Sequence, residues 1–115
     1  MSEYNNDSIL DITKCVCEIA PDCGSFDTVL LTYINSVILN LAQIGIIQSS
    51  NYTVTSSDDT WSDLGISDDT LGAVKVYLPS KVRMSFDPPT STNMYNALNS
   101  LIQELEWRLN VQVDY

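Results

Sequence analysis

The feature that most constrains the fold is an apolar repeat between Phe26 and Ile44. Its large apolar residues recur at intervals of three and four: Phe26, Val29, Leu30, Tyr33, Ile34, Val37, Ile38, Leu41 and Ile44. This interval matches the turn of an α-helix, so the repeat predicts a long amphipathic helix. Ser25 is its predicted N-cap, and Gly45 follows its last turn. Leu31 and Leu39 lie off the repeat and predict a second contact surface, inside the monomer or against a neighbouring molecule.

Apolar spacing predicts three further helices. The first covers about Ser8–Ala20 and is ended by Pro21, the third begins after Ser67 and reaches Phe86, and the fourth covers about Thr92–Leu109. The predicted core residues of the first helix are Ile9, Ile12, Val16, and Ile19 or Ala20. Those of the third helix are Leu71, Val74, Leu78, Val82 and Phe86. Those of the fourth helix are Met94 or Tyr95, Leu98, Leu101, Ile102, Leu105 and Leu109. A chain of 115 residues has room for one domain. The predicted fold is therefore a single all-α domain over residues 1–115, a small bundle of about four helices.

A long irregular connection, residues 46–66, separates the second and third predicted helices. Within it, Tyr52–Thr55 is a candidate short strand. Asp58–Leu64 is a candidate helical turn with Trp61 and Leu64 facing inward. A structureless connection of this length inside a compact domain is typically functional or disordered.

Two parts of the chain allow alternatives. Pro79 lies inside the third predicted helix, where proline costs about 3 kcal/mol, so a kink or break is expected there. The alternation of Val74, Val76 and Leu78 with polar residues also fits a strand, although the apolar spacing beyond the proline favours a helix. The tail, residues 110–115, alternates weakly and is expected either to add as a strand to another element or to fray.

Composition excludes several functional classes. Five Lys and Arg against fifteen Asp and Glu give a net charge of −10 and a pI near 4.1. Binding to nucleic acid phosphates or to an anionic membrane surface requires clustered cations, which this chain lacks. Polar residues such as Asn35, Asn40 and Gln43 interrupt the longest apolar stretch, so it is not expected to span a bilayer. The first seven residues lack the basic and apolar regions of a secretory signal, which predicts a cytoplasmic protein.

The chain contains no pattern typical of a catalytic or metal site. It has no histidine, the commonest general base and metal ligand, and its four glycines form no phosphate-binding loop. Cys15, Cys17 and Cys23 could form a thiolate metal site only with a fourth ligand from a carboxylate or another chain. They are predicted instead to be reduced, small apolar side chains. No cofactor, metal or enzymatic activity is expected.

Acidic and basic residues are separated along the sequence, with acids on the connection and at the start of the third helix and bases later in that helix. Five of the fifteen acids lie close together: Asp58, Asp59, Asp63, Asp68 and Asp69. Three of the five bases follow: Lys75, Lys81 and Arg83. This pattern predicts a head-to-tail contact in which the acidic loop of one subunit meets the basic helix of the next, and such a contact closes into a ring if the rotation allows.

Two segments carry a resemblance to a known family. The run Val74–Ser91, with its Phe86–Pro89 turn, and the segment Glu104–Val111 resemble small head–tail connector proteins of tailed bacteriophages, also called head-completion or adaptor proteins. The element order is similar too: a short acidic helix, a long helix that begins with Phe-Asp, and a variable loop containing Thr60–Asp63. The resemblance covers most of the chain.

This resemblance implies a non-enzymatic structural protein of the virion. It implies a ring, commonly of twelve copies, between the portal and the next neck or tail-completion protein, assembled in the host bacterial cytoplasm. The ring would extend the DNA channel without binding DNA specifically, and acidic residues facing the channel would repel the duplex. Leu31, Leu39 and Trp107, which points away from the core face of the fourth helix, would serve subunit or partner contacts.

Two other classes of function are open from the sequence. The charge of −10 on a small chain also fits an acidic inhibitor that mimics DNA and occupies a host nuclease or DNA-binding protein, although the acids lie in short clusters. An enzyme would need a metal held by Cys15, Cys17 and Cys23.

Overall fold

The computed structural model describes residues 4–47 and 53–113, with side chains described as far as Val111. Within these ranges the chain forms four α-helices and one 3₁₀ turn between the second and third: α1 (Ile9–Val16), α2 (Asp27–Gln43), the 3₁₀ turn (Trp61–Leu64), α3 (Asp68–Phe86) and α4 (Thr92–Val113). The described residues contain no β-strand. The predicted all-α bundle of four helices is therefore confirmed, as is the long connection between α2 and α3.

Helix α3 lies at the centre of the bundle and packs against the other three helices. Its buried apolar residues are Val74, Tyr77, Leu78 and Val82. They pack with residues from the other helices that include Ile9, Leu10, Leu30, Ile34, Ile38, Leu41, Ile102, Leu105 and Leu109. Most of the predicted core faces are therefore correct. The expected core positions Phe26, Val29, Met94, Tyr95 and Leu101 are exposed instead.

Helix α3 continues through Pro79 without interruption, so the predicted break and the strand alternative are wrong. A proline here removes the hydrogen bond that an amide would donate to the carbonyl of Lys75. Lys75 is on the exposed side of the helix, where water can take that place. The proline ring itself is buried in the bundle. A bend of the axis at this point stays a prediction.

Helix α1 ends at Val16, four residues before the predicted end at Ala20. Glu18 adopts the left-handed conformation with φ 63°, and the next amide, that of Ile19, donates to the carbonyl of Lys14 at 2.8 Å. Together with the bond from the Glu18 amide to the Cys15 carbonyl, this is a Schellman motif. The sequence gives no sign of it because the left-handed position is glutamate, where glycine is usual.

Helix α4 extends to Val113, beyond the predicted end at Leu109. The proposed strand or frayed tail is therefore wrong for residues 110–113, because the helical hydrogen bonding simply continues. Residues 114 and 115 lie outside the described residues.

The connection before α3 is held to the bundle by specific hydrogen bonds. Trp61 and Leu64 of the 3₁₀ turn are buried, as predicted. The side chain of Asn35 on α2 donates to the carbonyl of Val54 at 3.0 Å and accepts from its amide at 2.7 Å. Residues 53–55 form no strand, so the predicted strand is wrong there; Tyr52 lies outside the described residues.

Candidate functional site: the exposed surfaces of the bundle

The first half of α4 projects beyond the bundle. Lys81 on α3 and Glu106 on α4 are neighbours, with Nζ and Oε1 3.5 Å apart. Phe86, the last residue of α3, lies five residues beyond Lys81. Leu101 lies five residues before Glu106 on α4, and therefore at about the same level of the bundle as Phe86. Because antiparallel helices rise equally per residue, residues 92–101 extend about 14 Å beyond the end of α3, and within this segment Leu98 is half-buried against the core. This segment is called the α4 extension below.

The α4 extension exposes apolar side chains that the spacing alone assigns to the core. Met94 is 59% exposed, Tyr95 43% and Leu101 38%, whereas Ile102 and Leu105, level with α3, are buried. No residue from Pro88 to Gln103 carries a charge, in a chain where charged residues make up 17%. The extension is therefore an uncharged, partly apolar surface on an acidic molecule.

Two of the three predicted interface bases are engaged within the subunit. Lys81 pairs with Glu106, and Arg83 donates from Nη1 to the carbonyl of Val16 at 3.1 Å, at the C-terminus of α1. Lys75 is exposed and forms no ion pair or hydrogen bond within residues 4–47 and 53–113. The three bases therefore do not form one free basic surface.

The two remaining bases are also engaged internally. Lys14 is buried, with Nζ 2.9 Å from Asp27 Oδ1 and 3.2 Å from the carbonyl of Pro21, to which it donates. Arg108 Nη2 lies 2.9 Å from Glu104 Oε1. Four of the five cations thus interact with groups of their own subunit, and most of the outward-facing charge is negative.

The five predicted interface acids fall into two groups. Asp59 Oδ2 accepts hydrogen bonds from the amides of Thr55 and Ser56, and Asp63 Oδ2 accepts from the amide of Thr60 at 2.9 Å in a capping box. These two carboxylates stabilise the connection. Three others are exposed, on the connection or in the first turn of α3: Asp58, Asp68 and Asp69.

The three predicted apolar contact residues differ in exposure. Leu31 is half-buried against the core, whereas Leu39 is 49% exposed and Trp107 is 67% exposed. Leu39 borders a groove of about 330 Å³ whose other lining residues are Ser36, Val37, Asn40, Gln43 and Lys81. Trp107 borders a separate groove of about 300 Å³ lined also by Asp69, Ala73, Arg108, Leu109 and Val111.

The cysteines lie in three different environments. Cys15 is exposed, Cys23 is half-buried and Cys17 is buried. Burial raises the pKa of the Cys17 thiol to about 11; the Arg83 guanidinium lowers it and the Asp87 carboxylate raises it further. Cys17 is therefore a protonated thiol at neutral pH, the form that is a poor nucleophile and metal ligand.

Two other kinds of feature are absent from the described part of the chain. Among residues 4–47 and 53–113, no three His, Cys, Asp or Glu side chains are grouped so that they could hold a metal ion. None of the helices described has both the length and the apolar character needed to cross a membrane.

Comparison with known protein families identifies the family of this chain. A family model described as phage connector protein matches residues 9–115. The chain belongs to the phage connector protein family. This family is structural and not enzymatic, and membership places the connector protein in the virion, where the family interacts with portal and tail components and oligomerises. No curated protein and no solved structure matches the chain.

Proposed function

We propose that this connector protein forms a closed ring of twelve identical subunits between the portal and the next neck or tail-completion protein. The ring continues the DNA channel and offers a docking surface to the component that follows. Assembly takes place in the cytoplasm of the host bacterium, where subunits add to the portal of a filled head.

The charge distribution is the observation that carries the channel role. Four of the five cations interact with groups of their own subunit, so the acids dominate what a passing duplex would meet. Twelve copies at −10 each would carry about −120, which repels DNA phosphates and leaves the duplex free to slide. The DNA-mimic hypothesis is not carried forward, because the family is structural.

The groove beside Trp107 is the proposed docking surface for the downstream component. Trp107 is the most exposed of the large hydrophobic side chains described, at 67%, and lies at the C-terminal half of α4, away from the α4 extension. Tryptophan is enriched among the residues that dominate binding energy at protein interfaces. Trp107→Ala is expected to leave ring formation intact and to weaken attachment of the next component.

The experiment adds purified connector protein to phage heads that carry the portal but lack this protein. Electron microscopy is expected to show a twelve-fold ring on the portal vertex, and the free protein is expected not to retain duplex DNA at about 0.15 M salt. A protein that never joins portal-bearing heads, or that binds duplex tightly under these conditions, would contradict the proposal.

A further inference from the structure

We propose that neighbouring subunits join through two uncharged surfaces: the α4 extension of one subunit packs on the outer face of α2 of the next. The α2 outer face is defined by its exposed residues: Thr28, Val29, Thr32, Ser36, Leu39, Asn40 and Gln43. This inference rests on the proposed ring and names the surfaces that build it, replacing the contact between acidic loop and basic helix that the sequence predicts.

Electrostatic repulsion limits how two copies of this chain can approach each other. Subunits with a net charge of −10 repel each other, and contacts between surfaces that carry like charge are unfavourable. Only Lys75 among the five cations is without a partner in the described residues, so there is no basic surface to offset the acids of a neighbour. Copies of this chain therefore approach each other most easily through surfaces without charge.

Two stretches of the chain provide such uncharged surfaces. No residue from Thr28 to Ser57 is charged, and none is charged from Pro88 to Gln103. Each of these stretches contains a helical surface with exposed large apolar side chains: Val29 and Leu39 on α2, and Met94, Tyr95 and Leu101 on the α4 extension. By contrast, the exposed residues of α3 include Asp68, Asp69 and Lys75, and Glu18 is exposed in the turn that follows α1.

The two uncharged surfaces differ in shape. The α4 extension protrudes by about 14 Å, whereas the α2 outer face contains the groove beside Leu39. That groove, of about 330 Å³, has room for a large side chain such as Met94 or Tyr95. Lys81 at its edge is the only charged lining residue, and Glu106 balances it at 3.5 Å. A protrusion and a groove form a complementary pair.

The two surfaces also lie at different places on the subunit. Phe26 lies at the end of the bundle from which the extension projects, because its ring contacts Phe86 with 5.4 Å between centroids. Leu39 is thirteen residues further along α2, or about 20 Å. The groove beside Leu39 and the α4 extension are therefore different surfaces at different levels of the bundle, as a head-to-tail interface requires, and such an interface generates a ring when the rotation closes.

The occupant of both surfaces is thus a second copy of this chain, and the experiment measures self-association by sedimentation velocity. Screening reduces repulsion between acidic subunits, so raising the salt from about 0.05 M to about 0.5 M is expected to strengthen assembly. Met94→Glu and Leu39→Glu are each expected to raise the apparent dissociation constant at least about tenfold, because each removes an apolar side chain and adds a further negative charge at a contact between two acidic subunits. Ser57→Glu, which adds the same charge at an exposed position outside both surfaces, is the matched control.

Mixing the two variants tests the head-to-tail arrangement. Met94→Glu retains an intact α2 outer face and Leu39→Glu retains an intact α4 extension, so an equimolar mixture is expected to form dimers through one unaltered interface, and no larger rings. Circular dichroism and urea denaturation establish that each variant is folded.

The outcomes separate this inference from the proposed ring. Wild-type protein that stays monomeric at every salt concentration, alone and with portal-bearing heads, would overturn both. Rings that weaken with salt, that tolerate both glutamate substitutions, or that leave the mixture of variants monomeric would overturn the inference about the surfaces and leave the ring in place.

Discussion

Arg83 on α3 donates a hydrogen bond from Nη1 to the carbonyl of Val16, 67 residues earlier in the chain, at the end of α1. The last carbonyls of a helix have no partner inside the helix, so this bond satisfies one of them and fastens α1 to the central helix. A cation that the sequence assigns to a neighbouring subunit thus stabilises its own.

The first prediction follows from this bond. Arg83→Met is expected to lower the free energy of unfolding by about 1.5–3 kcal/mol, because a hydrogen bond from a charged group is lost and the Val16 carbonyl is left without its partner. Urea denaturation followed by circular dichroism measures the change. Lys75→Met is the matched control, since Lys75 lies on the same helix without a partner among the described residues, and it is expected to change the stability by less than about 0.5 kcal/mol.

The second prediction concerns the core of α4. Leu105→Ala is expected to cost about 2–5 kcal/mol, because Leu105 is 8% exposed and its removal leaves a cavity against α3. Leu101→Ala, one turn earlier but 38% exposed on the α4 extension, is expected to cost less than about 1 kcal/mol. Equal losses in urea denaturation of the two variants would show that Leu101, like Leu105, packs against its own subunit.

The third prediction concerns the attachment of the connection to α2. Asn35→Leu is expected to lower stability by about 1–3 kcal/mol, because it removes both hydrogen bonds to Val54 and leaves the backbone of a buried residue unpaired. Hydrogen exchange of the Val54 amide is expected to accelerate in this variant. Gln103→Leu, at an exposed position on α4 outside the α4 extension, is the control. Protection of Val54 that survives Asn35→Leu would contradict the role assigned to Asn35.

The fourth prediction concerns alkaline pH. The pKa of Cys17 is about 11 in the folded protein and 9.0 for an unperturbed thiol, so above pH 9 the unfolded state loses its proton before the folded state does. The stability contributed by the protonated thiol is therefore complete below pH 9 and is lost as the pH rises towards 11. Burial also raises the pKa of Tyr77, which acts in the same direction.

Urea denaturation between pH 8 and about 11 is expected to show this decline, on the order of 1 kcal/mol for the thiol. Cys17→Ala is expected to flatten the profile in part, with the contribution of Tyr77 remaining. At pH 8, iodoacetamide is expected to modify Cys15 faster than Cys17. Modification of Cys17 at the rate of Cys15 in the folded protein would show that its thiol is neither buried nor protonated.

The sequence predicts well the features that depend on local spacing. The interval of three and four residues locates all four helices, and the inward-facing Trp61 and Leu64 of the 3₁₀ turn follow from their positions in one turn. The predicted break of α3 at Pro79 is wrong because the packing of α3 at the centre of the bundle outweighs the loss of one hydrogen bond.

The features that depend on distant partners could not be predicted. Lys14 is buried because Asp27 and the carbonyl of Pro21 surround its ammonium group, and the sequence alone does not bring those groups together. Met94 continues the apolar spacing of α4 but is exposed, because α3 ends before it can cover that turn. The partners of Lys81 and Arg83 could not be predicted for the same reason, because both cations bind groups far away in the chain, and the contact between acidic loop and basic helix stays a prediction.

The two tryptophans occupy opposite environments, with Trp61 3% exposed in the core and Trp107 67% exposed on the surface. Their indole fluorescence therefore reports on separate events. Emission from Trp61 shifts to longer wavelength when the subunit unfolds, whereas emission from Trp107 shifts to shorter wavelength when another protein covers it. Variants that retain a single tryptophan would let unfolding and docking be followed independently, in real time and without an attached dye.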